Sequence, residues 1–238
     1  MKIRVIAPII LTKFNDDIRR EVEQFRAPDV EFDVVNLCRG PASIESRFDD
    51  ALATIDIMEK VKRSEQEGFD GVFIDCFGDP GVAASRELVR IPVVGAFQPS
   101  VLTACLISGS FTVITILQGL VPLVRENLRK LGVEGHVASI RSIETPVLEL
   151  DDHEQILEHV LSQALEGIEE DGAEACVLGC TGMMGIASAL ARKLRELGKP
   201  IPVIDPTAAA VGYLQLLIRS GLSQSRLTYA EPPAKERK

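Results

Sequence analysis

The amino-acid sequence predicts an α/β fold, and three features of the chain support that prediction. Short β-rich runs alternate with amphipathic segments, aromatic residues make up only 5% of the chain, and Trp is absent. Ala, Leu, Ile and Val therefore supply the apolar bulk, which is typical of helices layered on a buried parallel sheet. With 238 residues, of which 46% are hydrophobic, the chain can form one large domain or two small ones.

Eight segments have the composition and length of buried strands. They are residues 3–7, 31–37, 71–75, 92–95, 111–117, 137–140, 175–178 and 202–204. Apolar residues between them recur at helical spacing. Two such stripes are Ile18, Val22 and Phe25, and Ile156, Val160, Ala164 and Ile168. This alternation predicts right-handed βαβ crossovers and ligand-binding loops at the carboxyl ends of parallel strands.

The chain contains one sequence pattern twice. Residues 67–78 and 171–182 each comprise a helix end, a Gly, a buried strand and a Cys-x-Gly motif, which gives Cys76 and Cys180 matching positions. Residues 91–95 are likewise similar to residues 201–205. We therefore expect two pseudo-symmetric lobes, each a small, mostly parallel sheet flanked by helices, with the active site in the cleft between them.

The repeat also predicts how the chain divides. Residues 1–98 plus 207–226 are expected to form the first lobe, because the last helix can return to pack on it. Residues 99–206 are expected to form the second lobe. Residues 227–238 are polar and interrupted by Pro, which predicts a flexible tail.

Composition excludes several functions. The net charge of −9, from 26 basic and 35 acidic residues, does not provide the basic surface that binds phosphate backbones, so we expect no nucleic-acid partner. The sequence has neither a signal-peptide pattern nor an apolar run long enough for a bilayer, so we expect a cytoplasmic protein without a membrane partner. Five Cys without a short-spaced framework predict reduced thiols rather than disulfides.

Cys76 and Cys180 each follow a buried strand and precede a Gly-containing turn into a helix. A helix N-terminus offers free backbone N–H groups, which are expected to lower the pKa of a nearby thiol from about 8.5 toward neutrality. A single Cys at a strand end is usually a small buried hydrophobe. Two of them at matching positions of a repeated unit instead indicate a catalytic pair.

A thiol on each side of a cleft predicts a particular reaction. A planar carbanion between two thiols can be protonated on either face, so the pair can act as the two bases of a racemase on a small-molecule substrate. The substrate carbon must lie next to a carbonyl whose developing charge backbone donors can hold. Such a reaction requires no metal or electron-sink cofactor, and we expect none.

The other candidate residues indicate packing rather than chemistry. Cys105 and Cys176 fit an apolar helix and a strand, and Cys38 lies in a loop. The three His lack the i, i+4 spacing of a helical metal pair, and residues 179–185 read G-x-x-G-x-x-G rather than a dinucleotide-binding fingerprint. An acid at Asp75 or Asp79 can tune Cys76 or contact substrate, whereas Asp79 is equally suited to cap the following helix.

Five motifs are similar, in order and spacing, to those of one enzyme family. They are Gly-Pro-Ala-Ser-Ile-Glu-Ser at 40–46, Cys-Phe-Gly-Asp-Pro-Gly at 76–81, Pro-Val-Val-Gly at 92–95, Leu-Gly-Cys-Thr-Gly-Met at 178–183 and Val-Ile-Asp at 203–205. Through them the chain resembles the hydantoin/allantoin racemase branch of the aspartate/glutamate racemase superfamily. The resemblance implies a two-lobed fold without cofactor, Cys76 and Cys180 as the base pair, 5-substituted hydantoins or allantoin as substrates, and a homo-oligomer. The substrate-binding residues expected within these motifs are Ser43, Phe77, Gly78, Asp79, Thr181 and Gly182.

Two segments depart from the pattern of that family. Relatives commonly open with Ile-Asn-Pro-Asn-Thr, which helps to bind the ring, whereas residues 6–10 read Ile-Ala-Pro-Ile-Ile. Asp75 stands where a small residue is expected, and a carboxylate there should raise the pKa of the neighbouring thiol.

Other functions remain open. The superfamily fold also resembles that of maleate isomerases, in which one Cys adds to the substrate, and of arylmalonate decarboxylases, in which one Cys suffices for protonation. A non-enzymatic alternative is a small-anion binding module that uses the two helix N-termini as its cradle.

Overall fold

The computed structural model describes residues 1–236, and within them strands and helices alternate. The strands are β1 (Lys2–Ala7), β2 (Glu31–Asn36), β3 (Gly71–Ile74), β4 (Val93–Gly95), β5 (Phe111–Thr115), β6 (Val137–Ser142), β7 (Cys176–Leu178) and β8 (Val203–Ile204). The helices are α1 (Asn15–Gln24), α2 (Arg47–Gln66), α3 (Val82–Leu88), α4 (Phe97–Ile107), α5 (Val121–Leu131), α6 (His153–Glu169), α7 (Ile186–Glu196) and α8 (Pro206–Arg219). All eight predicted strands are confirmed, with their ends within two residues of the expected positions.

The strands form two parallel sheets of four strands each. The order in the first sheet is β2-β1-β3-β4, and the order in the second is β6-β5-β7-β8. The two orders are equivalent, since each sheet places the first and third strands of its unit at the centre. The α/β fold of two pseudo-symmetric sheets flanked by helices is therefore confirmed.

Each sheet is covered on both faces, as its apolar strands require. In the first sheet, Val5 and Phe73 pack with residues of α1 and α8. Ile6 and Ile74 point to the opposite face and pack with residues of α2 and α3. Because successive side chains of a strand alternate between faces, central strands with apolar residues on both faces need helices on both sides.

Helix α8 follows the last strand of the second sheet and contacts β3, β4 and α1 of the first. The approach is close, because a Cβ added at Gly71 would lie 2.9 Å from the Cδ1 atoms of Leu214 and Ile218. This packing agrees with the expected return of the last helix. The division into residues 1–98 plus 207–226 and residues 99–206 stays a prediction.

The segment after α8 is hydrogen-bonded to the end of α3. The Gln224 amide donates to the carbonyls of Val89 and Ile91 at 2.8 and 2.9 Å. Within the predicted tail, the Tyr229 hydroxyl accepts a hydrogen bond of 3.1 Å from Arg86. The flexibility of residues 227–238 stays a prediction, and residues 237–238 lie outside the described part of the chain. Among the helices of residues 1–236, none combines the length and the apolar character that a membrane span requires.

Candidate active site

Cys76 and Cys180 lie in the wall of one cavity between the carboxyl ends of the two sheets. Cys76 is the second residue after β3, and Cys180 is the second residue after β7. Both thiols are half-buried, and both contribute to a cavity of about 580 Å³. The structure thus brings together two thiols that are far apart in the sequence.

The two thiols have backbone partners at equivalent positions. The N–H of Gly78 donates to the Cys76 sulfur at 3.4 Å, and the N–H of Gly182 donates to the Cys180 sulfur at 3.3 Å. A Cβ at Gly182 would lie 3.4 Å from that sulfur, so Gly leaves the sulfur room beside the donor. An N–H donor stabilises a thiolate more than a thiol, so each loop supplies a stabilising group for the charged form.

The two loops also end alike. Gly81 and Gly185 precede α3 and α7 with φ of 66° and 73°, in the left-handed region. Gly adopts this conformation without the steric cost that a Cβ imposes. The repeated Gly positions therefore give both thiols equivalent turns into the helices that follow.

A direct hydrogen bond joins the two loops. The Thr181 hydroxyl donates to the main-chain carbonyl of Asp75 at 3.3 Å. Since Asp75 precedes Cys76 and Thr181 follows Cys180, this contact connects the neighbours of both thiols. It thereby helps to set the position of one thiol relative to the other.

The expected lowering of the thiol pKa is wrong. Burial raises the pKa of Cys180 to about 11, opposed by the N–H of Gly182. Burial also raises the pKa of Cys76, and the charges of Cys180, Asp75 and Asp79 add to that rise. The physical reason is that α3 and α7 begin only after a turn of several residues, while the cavity removes water from both thiols.

Asp79 does not face the cavity, contrary to its expected role in substrate binding. Its carboxylate accepts hydrogen bonds from the N–H groups of Phe97 and Gln98 at 2.8 and 3.3 Å. Asp79 therefore caps α4, rather than the following helix α3, because its chain turns toward the end of β4. Burial raises the pKa of Asp79 to about 7, and these N–H donors oppose the rise.

Four of the six expected substrate-binding residues line the cavity, namely Phe77, Gly78, Thr181 and Gly182. Ser43 and Asp79 are not part of the lining. Sequence reasoning missed Glu21, which is 5% exposed and lines the same cavity. Its position was a detectable signal, since Glu21 falls within the apolar stripe of Ile18 and Val22 on α1.

The cavity lining contains both apolar and ionisable side chains. The large apolar lining residues include Ile9, Phe14, Ile44, Leu120, Leu123, Val147 and Leu150. The ionisable lining residues besides the two thiols are Asp17, Arg20, Glu21, Asp75, Asp151 and His153. Arg20 pairs with Asp17. The lining therefore offers no guanidinium or ammonium that is free of an acidic partner among residues 1–236.

The remaining cysteines lie elsewhere. Cys176 is buried in β7, and burial raises its pKa to about 12. Cys105 is on α4, and exposed Cys38 lies 3.2 Å from the ammonium of Lys60. In the part of the chain that the structure describes, His, Cys, Asp and Glu form no group of three or more that could hold a metal ion.

Two matched lobes with a thiol after the third strand of each sheet define a class of α/β enzymes whose site lies between the lobes. A family model described as Asp/Glu/Hydantoin racemase matches residues 4–214. The chain belongs to the Asp/Glu/Hydantoin racemase family, and it is an isomerase by class. This confirms the resemblance inferred from the five motifs.

Individual relatives match over nearly the whole chain. The hydantoin racemase of Pseudomonas sp. (strain NS671) is 35% identical over 99% of this chain and 94% of its own length. That of Paenarthrobacter aurescens is 36% identical over 99% of both chains. Among solved structures, allantoin racemase from Klebsiella pneumoniae has a TM-score of 0.93 and 34% identity, covering 100% of this chain and 96% of that chain.

The alternative enzymes share only the fold. Arylmalonate decarboxylase and the maleate isomerase of Pseudomonas putida S16 give TM-scores of 0.62 and 0.64, at 18% and 17% identity. Likeness at this level of identity concerns architecture, and it does not favour either activity for this chain. The anion-binding module is not favoured either.

Proposed function

We propose that this chain is a cofactor-independent racemase that inverts a carbon acid with Cys76 and Cys180 as its two bases. The observation that carries the proposal is the matched pair of thiols in one cavity, each with its own N–H donor. The substrate carbon would lie between the sulfurs, so that each thiol addresses one face.

The proposed reaction moves one proton off the carbon and another onto it. A thiolate takes the proton, and the C–H electron pair passes into the adjacent carbonyl as an enolate. The opposite thiol then protonates the other face and becomes the thiolate. Phe77, Gly78, Thr181 and Gly182 line this space and are the proposed substrate contacts. A thiol with a raised pKa is a strong base once ionised, which suits a weakly acidic C–H.

The charges of the cavity support a neutral cyclic substrate over an amino acid. An α-carboxylate needs a cationic or N–H-rich partner, whereas the charged lining of this cavity is mainly acidic and Arg20 is paired with Asp17. A hydantoin or allantoin ring carries no carboxylate. The relatives named as hydantoin and allantoin racemases support the same ring class.

The many apolar side chains in the cavity lining support an apolar substituent on that ring. Residues such as Phe14, Leu123 and Leu150 would contact the substituent, while the ring would lie at the thiols. An apolar group placed there gains about 25 cal/mol for each Å² removed from water, whereas a ureido group would lose hydrogen bonds to water. We therefore propose a preference for 5-alkyl or 5-arylalkyl hydantoins over allantoin.

A substrate panel tests the proposed function. Pure enantiomers of 5-isobutyl- and 5-benzylhydantoin, allantoin, aspartate and glutamate are followed by circular dichroism with the purified protein. We expect decay of the signal toward zero for the two hydantoins, slower decay for allantoin, and none for the amino acids. A blank without protein corrects for spontaneous racemisation. Turnover of aspartate or glutamate without turnover of any cyclic substrate would contradict the proposal.

We also propose a homo-oligomer in the cytoplasm without nucleic-acid or membrane partners. Exposed apolar side chains at helical spacing on α2, namely Phe48, Leu52 and Ile55, support an interface between copies. The net charge of −9 is unfavourable for nucleic acid, and a reducing compartment suits a thiol mechanism. Light scattering of the purified chain measures its molar mass in solution, and the mass of a monomer would refute the proposed homo-oligomer.

A further inference from the structure

Three acids from different elements lie close enough to interact electrostatically. Asp75 follows β3, Glu21 lies on α1, and Asp205 is the N-cap of α8. Asp75 and Glu21 are buried, with 9% and 5% of their surfaces exposed. None of the three forms an ion pair within residues 1–236, so no cationic side chain there balances their charge.

Asp75 differs from the other two acids in its partners. Glu21 accepts a hydrogen bond of 2.9 Å from Gln24, and Asp205 accepts two of 2.9 Å from the first turn of α8. The Oδ1 atom of Asp75 is fully buried and has no hydrogen-bond partner. An ionised carboxylate at that place would leave buried charge uncompensated, so Asp75 retains its proton more strongly than an exposed acid.

The acids that face Asp75 strengthen this effect. Burial, together with the charges of Glu21 and Asp205, raises the pKa of Asp75 to about 7, and the Thr181 hydroxyl opposes the rise. The pKa values of Glu21 and Asp205 are themselves raised by burial. The Asp75 carboxyl is therefore neutral below about pH 7 and negatively charged above it.

Asp75 is also the acid that both thiols share. Its negative charge raises the pKa of Cys76 and of Cys180. By contrast, the charge of Asp79 raises the pKa of Cys76, and the charge of Glu45 raises the pKa of Cys180. The sharing has a geometric cause, since Asp75 precedes Cys76 and its carbonyl is bonded to Thr181 beside Cys180.

We propose that Asp75 is a positioning residue that controls both thiols through its proton: either thiol ionises readily while Asp75 is protonated, and less readily once Asp75 carries charge. The proposal deepens the racemase function and rests on it, because it concerns the thiolates assigned there as bases. The groups that interact with Asp75 are Glu21 on α1, Asp205 on α8, and the two thiols. The other ionisable groups of the cavity wall are Arg20, paired with Asp17, and Asp151 and His153.

The proposal predicts an unusual pH profile for alkylation of the wild-type thiols. Below about pH 7, the logarithm of the rate should rise by one per pH unit, because thiolate forms beside a neutral Asp75. Ionisation of Asp75 then raises the thiol pKa while the pH rises. With a coupling of about one pH unit, the slope should therefore fall to about half just above the pKa of Asp75 and return to one at higher pH.

Iodoacetamide labelling tests this profile in the intact chain. Cys76 and Cys180 are quantified separately by peptide mass spectrometry between about pH 5 and about pH 9. The variant Asp75→Asn removes the charge and keeps the shape, so its Cys180 profile should rise without interruption. Cys180 carries the test, because Asp79 also acts on Cys76 and its pKa is likewise raised to about 7. We expect equal rates for variant and wild type near pH 6, and about tenfold faster labelling of the variant near pH 9.

Asp50→Asn is the matched control. The pKa of Asp50 is also raised by burial, but Asp50 lies on α2 and is not part of the cavity lining. Its variant should keep the interrupted profile of the wild type. Equal labelling of Asp75→Asn and wild type near pH 9, or slower labelling of the variant, would overturn the proposal.

The proposal can also be tested without the variant and independently of the racemase function. If Asp75→Asn does not fold, an uninterrupted Cys180 profile of the wild type through neutral pH overturns the proposal without any variant. Labelling also reports thiolate without turnover. Failure of the substrate panel would therefore refute the racemase function while leaving the interrupted profile in place, so the two failures are distinguishable.

Discussion

The Cys76 loop and the Cys180 loop have the same backbone but different surroundings. Each sulfur accepts the N–H of the second residue beyond it, and each loop ends at a left-handed Gly. At the position before each Cys, the first loop has Asp75 and the second has Gly179. Three residues after each Cys, the first loop has Asp79 and the second has Met183.

This difference indicates that the positions of the two sulfurs and the ionisation of the two thiols are determined by different features of the structure. The matched turns fix where the sulfurs lie, whereas the side chains around them decide how easily each one ionises. Burial raises the pKa of both thiols, and two acids add to the rise at each, Asp75 and Asp79 at Cys76 and Asp75 and Glu45 at Cys180. The second loop has buried Met183 at the position of Asp79. The rise is smaller at Cys180, so we expect Cys180 to ionise before Cys76.

The largest expected effect comes from removing either thiol. Cys76→Ser and Cys180→Ser should each lower racemisation by about 10³-fold, because inversion needs a base and an acid on opposite faces. In D₂O, each variant should exchange the α-proton of one enantiomer preferentially, and the two preferences should be opposite. NMR of each pure enantiomer measures this exchange, corrected for the spontaneous rate.

Cys105→Ser provides the control, since Cys105 lies on α4 outside the cavity lining and its loss should leave turnover unchanged. Two outcomes would break the comparison of the two loops. One is a Cys76 or Cys180 variant that racemises at the wild-type rate, and the other is a shared preference for the same enantiomer.

The position before each Cys gives the next largest effect. A Cβ at Gly179 would lie 2.9 Å from the Ile114 carbonyl oxygen and 3.1 Å from the Thr115 Cα, which are backbone atoms that cannot move aside. Gly179→Ala should therefore lower the free energy of unfolding by about 2 kcal/mol, measured by urea denaturation. Gly119→Ala is the control, because nothing lies within 4 Å of its added Cβ. An unchanged stability for Gly179→Ala would show that the second loop has room for an acid like Asp75.

The relative alkylation rates of the two thiols provide a further test of the difference between the two loops. Cys180 should be alkylated about tenfold faster than Cys76 near pH 8, because its pKa is lower and both thiols are half-buried. Buried Cys176 should be the slowest of the five. Peptide mapping of a time course measures the order. Faster labelling of Cys76 would mean that burial and the acids beside it do not raise its pKa above that of Cys180.

The smallest expected effect is that of chelation. Dialysis against EDTA should leave the rate of racemisation unchanged, because the two proposed bases act without a metal. The assay compares dialysed and untreated protein with the same hydantoin enantiomer. A loss of activity that added Zn²⁺ or Mg²⁺ restores would show that the two loops do not suffice as a base pair.

The sequence by itself determined the framework of this protein. Strand and helix periodicity located all eight strands, because burial of apolar residues leaves a local pattern in the chain. The repeated Cys-x-Gly unit identified Cys76 and Cys180 as equivalent positions, since both the turn and the strand before it are encoded within a dozen residues. The family resemblance rested on the same short motifs.

Only the tertiary structure decided the electrostatics of the site. The helix ends near the thiols were expected to lower the thiol pKa, but burial in the shared cavity raises it. Asp79 caps α4 at Phe97 rather than facing substrate, and Glu21 joins Asp75 from a separate helix. Burial and interactions between charges determine these pKa values, and both depend on contacts between segments that are distant in the sequence. Local sequence patterns do not predict those contacts.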